Sequence, residues 1–89
     1  MFHFVKNVKP LNDYVLLVEF ENNEQKKYDV KPLFNKWEAF KALLSVYGLF
    51  KLVKVDQGGY GISWNDEIDL SCDELYHNGI SVVTLSETG

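Results

Sequence analysis

The sequence predicts an α+β domain: an antiparallel sheet of five or six strands, one main helix packed on a face of the sheet, and a short C-terminal helix. Three observations favour this fold class. Several stretches alternate apolar and polar residues with the period of a strand. Asn, Asp and Gly residues separate these stretches, as they do in tight turns. One segment between them repeats its apolar residues with the period of a helix.

The length of the chain suits one domain. Its 89 residues are 46% hydrophobic, and a chain of this size buries roughly 60–65% of its unfolded surface. That burial is enough for a core without disulfide or metal. We therefore expect a single domain over residues 1–89.

The N-terminal part of the chain is predicted to form three strands. Phe2–Leu11 is the first, and Pro10 indicates a sheet edge or a strand end because proline cannot donate to a ladder. Tyr14–Glu21 is the most regular and should be central, since its alternate residues are large and apolar. Gln25–Val30 is more polar, and we expect its lysine pair to face solvent or to guard an edge.

The main helix is predicted to follow Asn35. Glu38 stands three residues later, which makes Asn35 an N-cap candidate in a capping box, and Gly48 is a helix stop. The apolar stripe at helical spacing consists of Trp37, Phe40, Leu44 and Tyr47. We expect the stripe to lie on the sheet, with Phe40 and Leu44 buried.

The C-terminal part is predicted to contain a hairpin, a polar turn and the short helix. Phe50–Asp56 turns through two glycines into a strand that ends at Trp64. A turn over residues 65–67 leads to a short strand at residues 68–70. Ser71 then caps a helix over Cys72–His77, and Ile80–Leu85 is the last strand.

Charge is divided unevenly along the chain. Residues 1–54 hold nine lysines and six acidic residues, a net of +3, whereas residues 55–89 hold seven acidic residues and no base, a net of −7. The chain has no arginine, which is the usual reader of guanine and the usual bidentate ligand of phosphate. We therefore do not expect this chain alone to bind nucleic acid.

Cysteine usage and hydropathy indicate the compartment. The one cysteine, Cys72, can form no intrachain disulfide, which favours a reducing compartment. The N-terminus has no signal-peptide pattern, and no stretch approaches the ~18 apolar residues of a membrane span. We expect a cytoplasmic protein without a membrane partner.

The candidate interaction residues lie in the acidic segment near the C-terminus. Side chains from residue 66 to residue 74 carry most of the acid of this half and would face a basic protein partner. The candidates are Trp64, Asp66, Glu67, Asp69, Asp73 and Tyr76. The alternatives are that the acids are only solvated, that Asp69 bonds backbone N–H groups of the preceding turn, and that Trp64 belongs to the core.

Patterns for catalysis, cofactors and metals are weak. Alternating polar residues from Asn65 resemble a calcium loop, but Leu70 and Tyr76 occupy its glycine and glutamate positions. Cys72 and His77 stand five apart and so face different sides of a helix, although a thiol at a helix start can be mildly reactive. The glycines at 58–61 join strands and open no helix. We predict no catalytic residue, cofactor or metal, and no enzyme.

One family resemblance covers most of the chain. Its carriers are the strand at residues 14–21 with the polar residues after it, the Pro-Leu-Phe entry at residues 32–34, and the segment I-S-W-N-D-x-I-D-L-x-x-D-x-L-Y from Ile62 to Tyr76. Over Val5 to Tyr76 the chain resembles the family named domain of unknown function 2442, small bacterial proteins. The resemblance implies an α+β domain without an assigned activity. Longer relatives append a helix-turn-helix, and some members are encoded beside a small partner in toxin–antitoxin-like pairs.

These observations lead to three functional hypotheses. The first is a bacterial protein-interaction domain, the antitoxin-like or regulatory member of a two-protein pair. The second is an accessory domain of a DNA-associated regulator, which the lack of room for a helix-turn-helix after Tyr76 weakens. The third is a small-ligand binder or enzyme that uses Trp64 and Asp69. A homodimer joined through the first or last strand stays open.

Overall fold

The computed structural model describes residues 3–82, which form two antiparallel sheets instead of the single sheet predicted. The first sheet has the order β1-β2-β3-β7, with β1 Val5–Pro10, β2 Val15–Phe20, β3 Gln25–Asp29 and β7 Ile80–Ser81. The second has the order β4-β5-β6, with β4 Lys54–Val55, β5 Gly61–Asn65 and β6 Ile68–Ser71. The α+β class is confirmed, and the single sheet is wrong.

The first sheet follows the alternation of its strands. Leu16, Val18 and Phe20 of β2 are completely buried, and β2 pairs with β1 on one side and β3 on the other, which confirms the central position. The edge position of β1 is also confirmed. The predicted last strand is seen as Ile80–Ser81, and its residues 83–85 lie outside the described residues.

The lysine pair of β3 does not guard an edge, because β7 pairs with β3 along that side. Lys27 lies opposite Ile80 and is exposed, as predicted. Lys26 instead places its Nζ 3.8 Å from the centre of the Tyr76 ring and donates a hydrogen bond to the Tyr76 carbonyl oxygen. The prediction that both lysines face solvent is wrong for Lys26.

The predicted main helix is absent from the described residues. Residues 31–45 instead form two 3-10 turns, Lys31–Asn35 and Glu38–Lys41, followed by one α-helical turn, α1 Ala42–Ser45. Leu33 accepts the N–H groups of Lys36 and Trp37, and Trp37 is extended with φ −131° and ψ 125°. The first 3-10 turn ends before Trp37, so Trp37 and not Asn35 occupies the N-cap position of the second turn. No side chain caps that turn, and the predicted Asn35 capping box is wrong.

The apolar stripe divides when the helix breaks. Phe40 is buried, as predicted, but Leu44 is 51% exposed. Leu43, beside the predicted stripe, is 2% exposed and takes the core position. Phe40 and Leu43 stand three residues apart, across the junction of the second 3-10 turn and α1, and so share one face. Tyr47, the last member of the stripe, is fully exposed.

The fourth strand is shorter than predicted. Gly48 has φ 82°, and Leu49–Leu52 form a 3-10 turn that brings Phe50 into the core. Of the predicted strand Phe50–Asp56, only Lys54–Val55 pairs with β5. The backbone carbonyl of Phe50 accepts a hydrogen bond from Trp64 Nε1 at 2.9 Å, and this bond ties the turn to the second sheet.

The hairpin of β5 and β6 and the helix after it agree with the sequence. The Asn65 side-chain oxygen accepts the N–H groups of Glu67 at 2.8 Å and Ile68 at 3.0 Å. Helix α2 spans Cys72–Asn78, and Ser71 Oγ accepts the Glu74 N–H at 3.1 Å, which confirms the N-cap. The Glu74 carboxylate accepts the hydroxyl of Tyr28 at 2.7 Å and so belongs to a contact between α2 and β3.

The two sheets share one hydrophobic core. Strand β1 contacts both β4 and β5, and buried side chains from the two sheets form a single cluster. Gly59, in the turn before β5, approaches the backbone of β1 closely. A Cβ atom at this position would lie 2.6 Å from the Val5 carbonyl oxygen, and its φ of +78° also favours glycine.

Candidate functional site

The acidic segment lies on the β5–β6 hairpin and the start of α2. Ile68 and Leu70 of β6 are buried, so the alternating Asp69 points outward with the turn residues Asp66 and Glu67. In the first turn of α2, Asp73 is exposed as well. Of the ion pairs seen between residues 3 and 82, which join Lys31 to Asp13 and Asp29 and Lys41 to Glu38, none involves these four carboxylates.

Part of this segment borders a cleft that the sequence did not predict. The cleft has a volume of about 450 Å³ and brings Glu67 and Asp69 of the hairpin next to the break in the predicted helix. Its lining residues are Trp37, Glu38, Ala39, Phe40, Glu67 and Asp69. Asp66 and Asp73 do not line it. The structure therefore joins two of the four predicted carboxylates to a part of the chain that appeared unrelated.

Trp37 is the main residue that the sequence analysis missed. Its side chain is 44% exposed, and the ammonium of Lys36 lies 4.9 Å from the centre of the ring. The helical spacing places Trp37 in the apolar stripe that is predicted to lie on the sheet. The adjacent Glu38 was the available signal, because an acidic residue is typical of the first turn of a helix. If a new turn begins at Glu38, Trp37 lies before it and is exposed at the break.

Trp64 occupies the core and not the surface of the site. Its side chain is 5% exposed, it packs edge-on against Phe40 at 6.0 Å, and it stacks on Phe50 at 6.1 Å between ring centres. Trp64 is therefore a core residue, which was the alternative to a role in binding. Trp64 supports the cleft from behind, through Phe40.

Tyr76 is held by contacts within the chain. His3 stacks on one face of its ring with 3.5 Å between centres and 6° between planes, and Lys26 lies over the ring as well. Its hydroxyl donates a hydrogen bond to Glu24. That bond is the main reason why the pKa of Glu24 lies below its usual value, and it raises the pKa of Tyr76. Tyr76 thus joins α2 to the start of β3.

A second cleft contains the partly buried hydrogen bond between Tyr28 and Glu74. It has a volume of about 540 Å³ and lies between β3, α2 and the first 3-10 turn. Burial, with the neighbouring Glu74 carboxylate, raises the pKa of Tyr28 well above its usual range. The phenol therefore stays neutral and acts as a hydrogen-bond donor to the carboxylate.

The residues considered for catalysis and metal binding are buried or already have partners within the chain. Cys72 is buried, and His77 Nδ1 lies 2.9 Å from the Asp73 carbonyl oxygen, a backbone partner within its own helix. The described part of the chain holds no group of three or more His, Cys, Asp or Glu side chains placed to bind a metal ion. Asn65, not Asp69, bonds the backbone of the hairpin turn. Among residues 3–82, no helix has the length and apolar character needed to cross a membrane.

Comparison with known proteins gives one match. The family model described as "Protein of unknown function (DUF2442)" matches residues 5–81. No curated protein and no solved structure matches the chain.

Proposed function

The chain belongs to the DUF2442 family, and we propose that it is a protein-interaction domain that binds a basic partner through the cleft beside Trp37. We call this surface the acidic face and define it by Trp37, Glu38, Glu67 and Asp69. In this proposal the domain acts in the bacterial cytoplasm as the antitoxin-like or regulatory member of a two-protein pair, the role that the family resemblance implies.

The observation that carries the proposal is an exposed tryptophan in a cleft with three carboxylates. Tryptophan is among the residues that most often anchor protein interfaces, because a single ring buries a large area at a small entropic cost. A lysine or arginine from a partner would contact the ring and reach a carboxylate at once. Lys36 already lies over the Trp37 ring, so the ring can accept a cation at its face.

The carboxylates of the acidic face are available for a partner to different extents. Glu38 has an exposed ion pair with Lys41 at 3.4 Å, which is worth little and can exchange. Glu67 and Asp69 form none of the ion pairs seen in the described chain. Asp66 and Asp73 lie outside the cleft and would act at longer range, by increasing the association rate of a basic protein at low salt.

The alternatives have less support from the geometry. A small-ligand site built on Trp64 and Asp69 needs both side chains in one pocket, but Trp64 is in the core while Asp69 lines the cleft. A DNA-associated role predicts binding whose affinity falls steeply with salt, and a titration of DNA at low salt tests it.

The test is capture of a partner from native lysate at moderate salt, followed by titration of the purified partner. Trp37→Ala and the pair Glu67→Lys with Asp69→Lys should each weaken binding by about tenfold or more. The matched control is Glu19→Lys with Glu21→Lys, which makes the same charge change at the end of β2 and directly after it, outside the cleft. Unchanged affinity in both acidic-face variants would contradict the proposal. Asp66→Lys with Asp73→Lys should mainly lower the association rate.

A further inference from the structure

A second surface, distinct from the acidic face, combines a protruding tyrosine with an apolar groove. Tyr47 is fully exposed, and its neighbours Leu44 and Val46 are each 51% exposed. Beside them lies a groove of about 320 Å³ between residues 11–14 and residues 43–51. Contiguous exposed apolar residues of this kind are unusual on a surface without a binding role.

The floor of the groove is aromatic and fixed. Tyr14 has a left-handed backbone with φ 58°, and its side chain is partly buried against the core. The ring meets Phe34 edge-on at 5.4 Å and Phe50 at 5.1 Å between centres. Leu43, which is buried, completes the floor. The groove therefore has a preformed apolar base, which lowers the entropic cost of filling it.

The rim of the groove carries one charge of each sign. Asp13 and Lys51 both line the groove, and both are exposed. None of the acidic residues after position 55 lines it, so the region that carries most of the negative charge of the chain lies outside this surface. Two copies of the chain could approach each other here with little repulsion.

We propose that a second copy of this chain covers the groove, in a symmetric dimer in which Tyr47 of each copy enters the groove of the other. A two-fold interface requires a surface that is complementary to itself, and here the protruding side chain and the groove are adjacent on one face. If the two-fold axis runs along the groove, which separates residues 11–14 from residues 43–51, Asp13 of each copy would face Lys51 of the other. The exposed ion pair of Asp13 with Lys31 would then exchange for this contact. This surface shares no residue with the acidic face.

The first experiment is sedimentation equilibrium of the full chain over a wide range of concentration. We expect a mass that rises to twice the 10.3 kDa of one chain. Tyr47→Glu should raise the dimer dissociation constant by about tenfold or more, because it puts a charge into an apolar groove. The matched control is Ile80→Glu, which adds the same charge at another exposed apolar side chain outside the groove and should leave the constant unchanged.

The second experiment tests the arrangement with Asp13→Asn, Lys51→Gln and the double variant. Asn tolerates the left-handed backbone of Asp13, so the change removes charge without adding strain. If the two side chains pair across the interface, each single change weakens the dimer by a few-fold and the double change adds little more. Asp13→Asn also removes the ion pair with Lys31 of the same chain. This loss is the same with and without Lys51→Gln, so it cancels in the double-mutant cycle.

Three results would overturn the proposal: a wild-type chain that stays monomeric at the highest concentration, a Tyr47→Glu variant that dimerises like the wild type, or additive effects of the two charge changes. Circular dichroism checks that each variant is folded. The outcome does not depend on the acidic face, because Trp37→Ala should leave the dimer constant unchanged.

Discussion

The hydroxyl of Tyr76 donates a hydrogen bond to the carboxylate of Glu24, 52 residues earlier in the chain. Glu24 follows β2 and Tyr76 lies in α2, so the bond connects the second sheet, through its helix, with the turn of the first. His3 and Lys26 hold the Tyr76 ring in position for this bond. The contact is a candidate for the pH dependence of stability because both partners titrate.

The first prediction concerns Glu24 at acid pH. Its pKa in the folded chain lies below the ordinary value of 4.5, mainly because of the bond from Tyr76. A lowered pKa stabilises the folded state above the unfolded pKa, and this contribution is lost as the pH falls through the folded pKa. Tyr76→Phe should therefore return the pKa of Glu24 towards 4.5. Carboxyl NMR titration measures it, and an unchanged pKa would contradict the contact.

The second prediction concerns the partly buried hydrogen bond between Tyr28 and Glu74. Tyr28→Phe should lower the free energy of unfolding by about 1–2 kcal/mol, because a hydrogen bond to a charged group is lost while the ring stays buried. Urea unfolding measures this change. Glu74→Gln is the companion variant, since it keeps an acceptor for the Tyr28 hydroxyl and should cost less.

Alkaline pH tests the same bond from the opposite direction. Burial raises the pKa of Tyr28 above its ordinary value of 10. A raised pKa stabilises the folded state below the unfolded pKa, and this contribution is lost as the pH rises through the folded value. The wild-type chain should therefore lose stability above pH 10 more steeply than Tyr28→Phe. Equal slopes for the two chains would show that the phenol titrates as it does in water.

Elements with local signals could be predicted from the sequence. The turn after β5 depends on Asn65, and the start of α2 on Ser71, and each makes its hydrogen bonds within three residues. Strand β2 could also be predicted, because the alternation of its own residues determines which side is buried. Four of the acidic residues, Asp66, Glu67, Asp69 and Asp73, occupy exposed positions of these elements.

The missed features depend on contacts between distant residues. The stripe from Trp37 to Tyr47 fits a helix equally well with Leu43 or Leu44 in the core, and packing decides for Leu43. The two sheets meet where Gly59 approaches Val5, a contact between distant residues that no local pattern encodes. The cleft of the acidic face was therefore not predictable, because it forms where the broken helix meets the hairpin.

The third prediction separates two adjacent leucines. Leu43→Ala should lower the free energy of unfolding by about 2–5 kcal/mol, since it opens a cavity at a side chain that is 2% exposed. Leu44→Ala should cost less than about 1 kcal/mol, because that side chain is half exposed. Thermal or urea unfolding measures both. Similar costs for the two changes would favour the continuous helix with Leu44 on its buried face.

The last prediction tests how closely the two sheets approach each other. Gly59→Ala places a Cβ atom 2.6 Å from the Val5 carbonyl oxygen, so either β1 or the turn before β5 must move. Gly48→Ala is the matched control, because Gly48 has a similar φ of +82° but nothing lies within 4 Å of the added atom. The control should cost about 1–2 kcal/mol for its left-handed backbone alone. Gly59→Ala should cost clearly more in urea unfolding, and the difference between the two variants isolates the contact between the sheets. Equal costs would mean that β1 and the β5 turn can separate freely, and the single core described here would then be wrong.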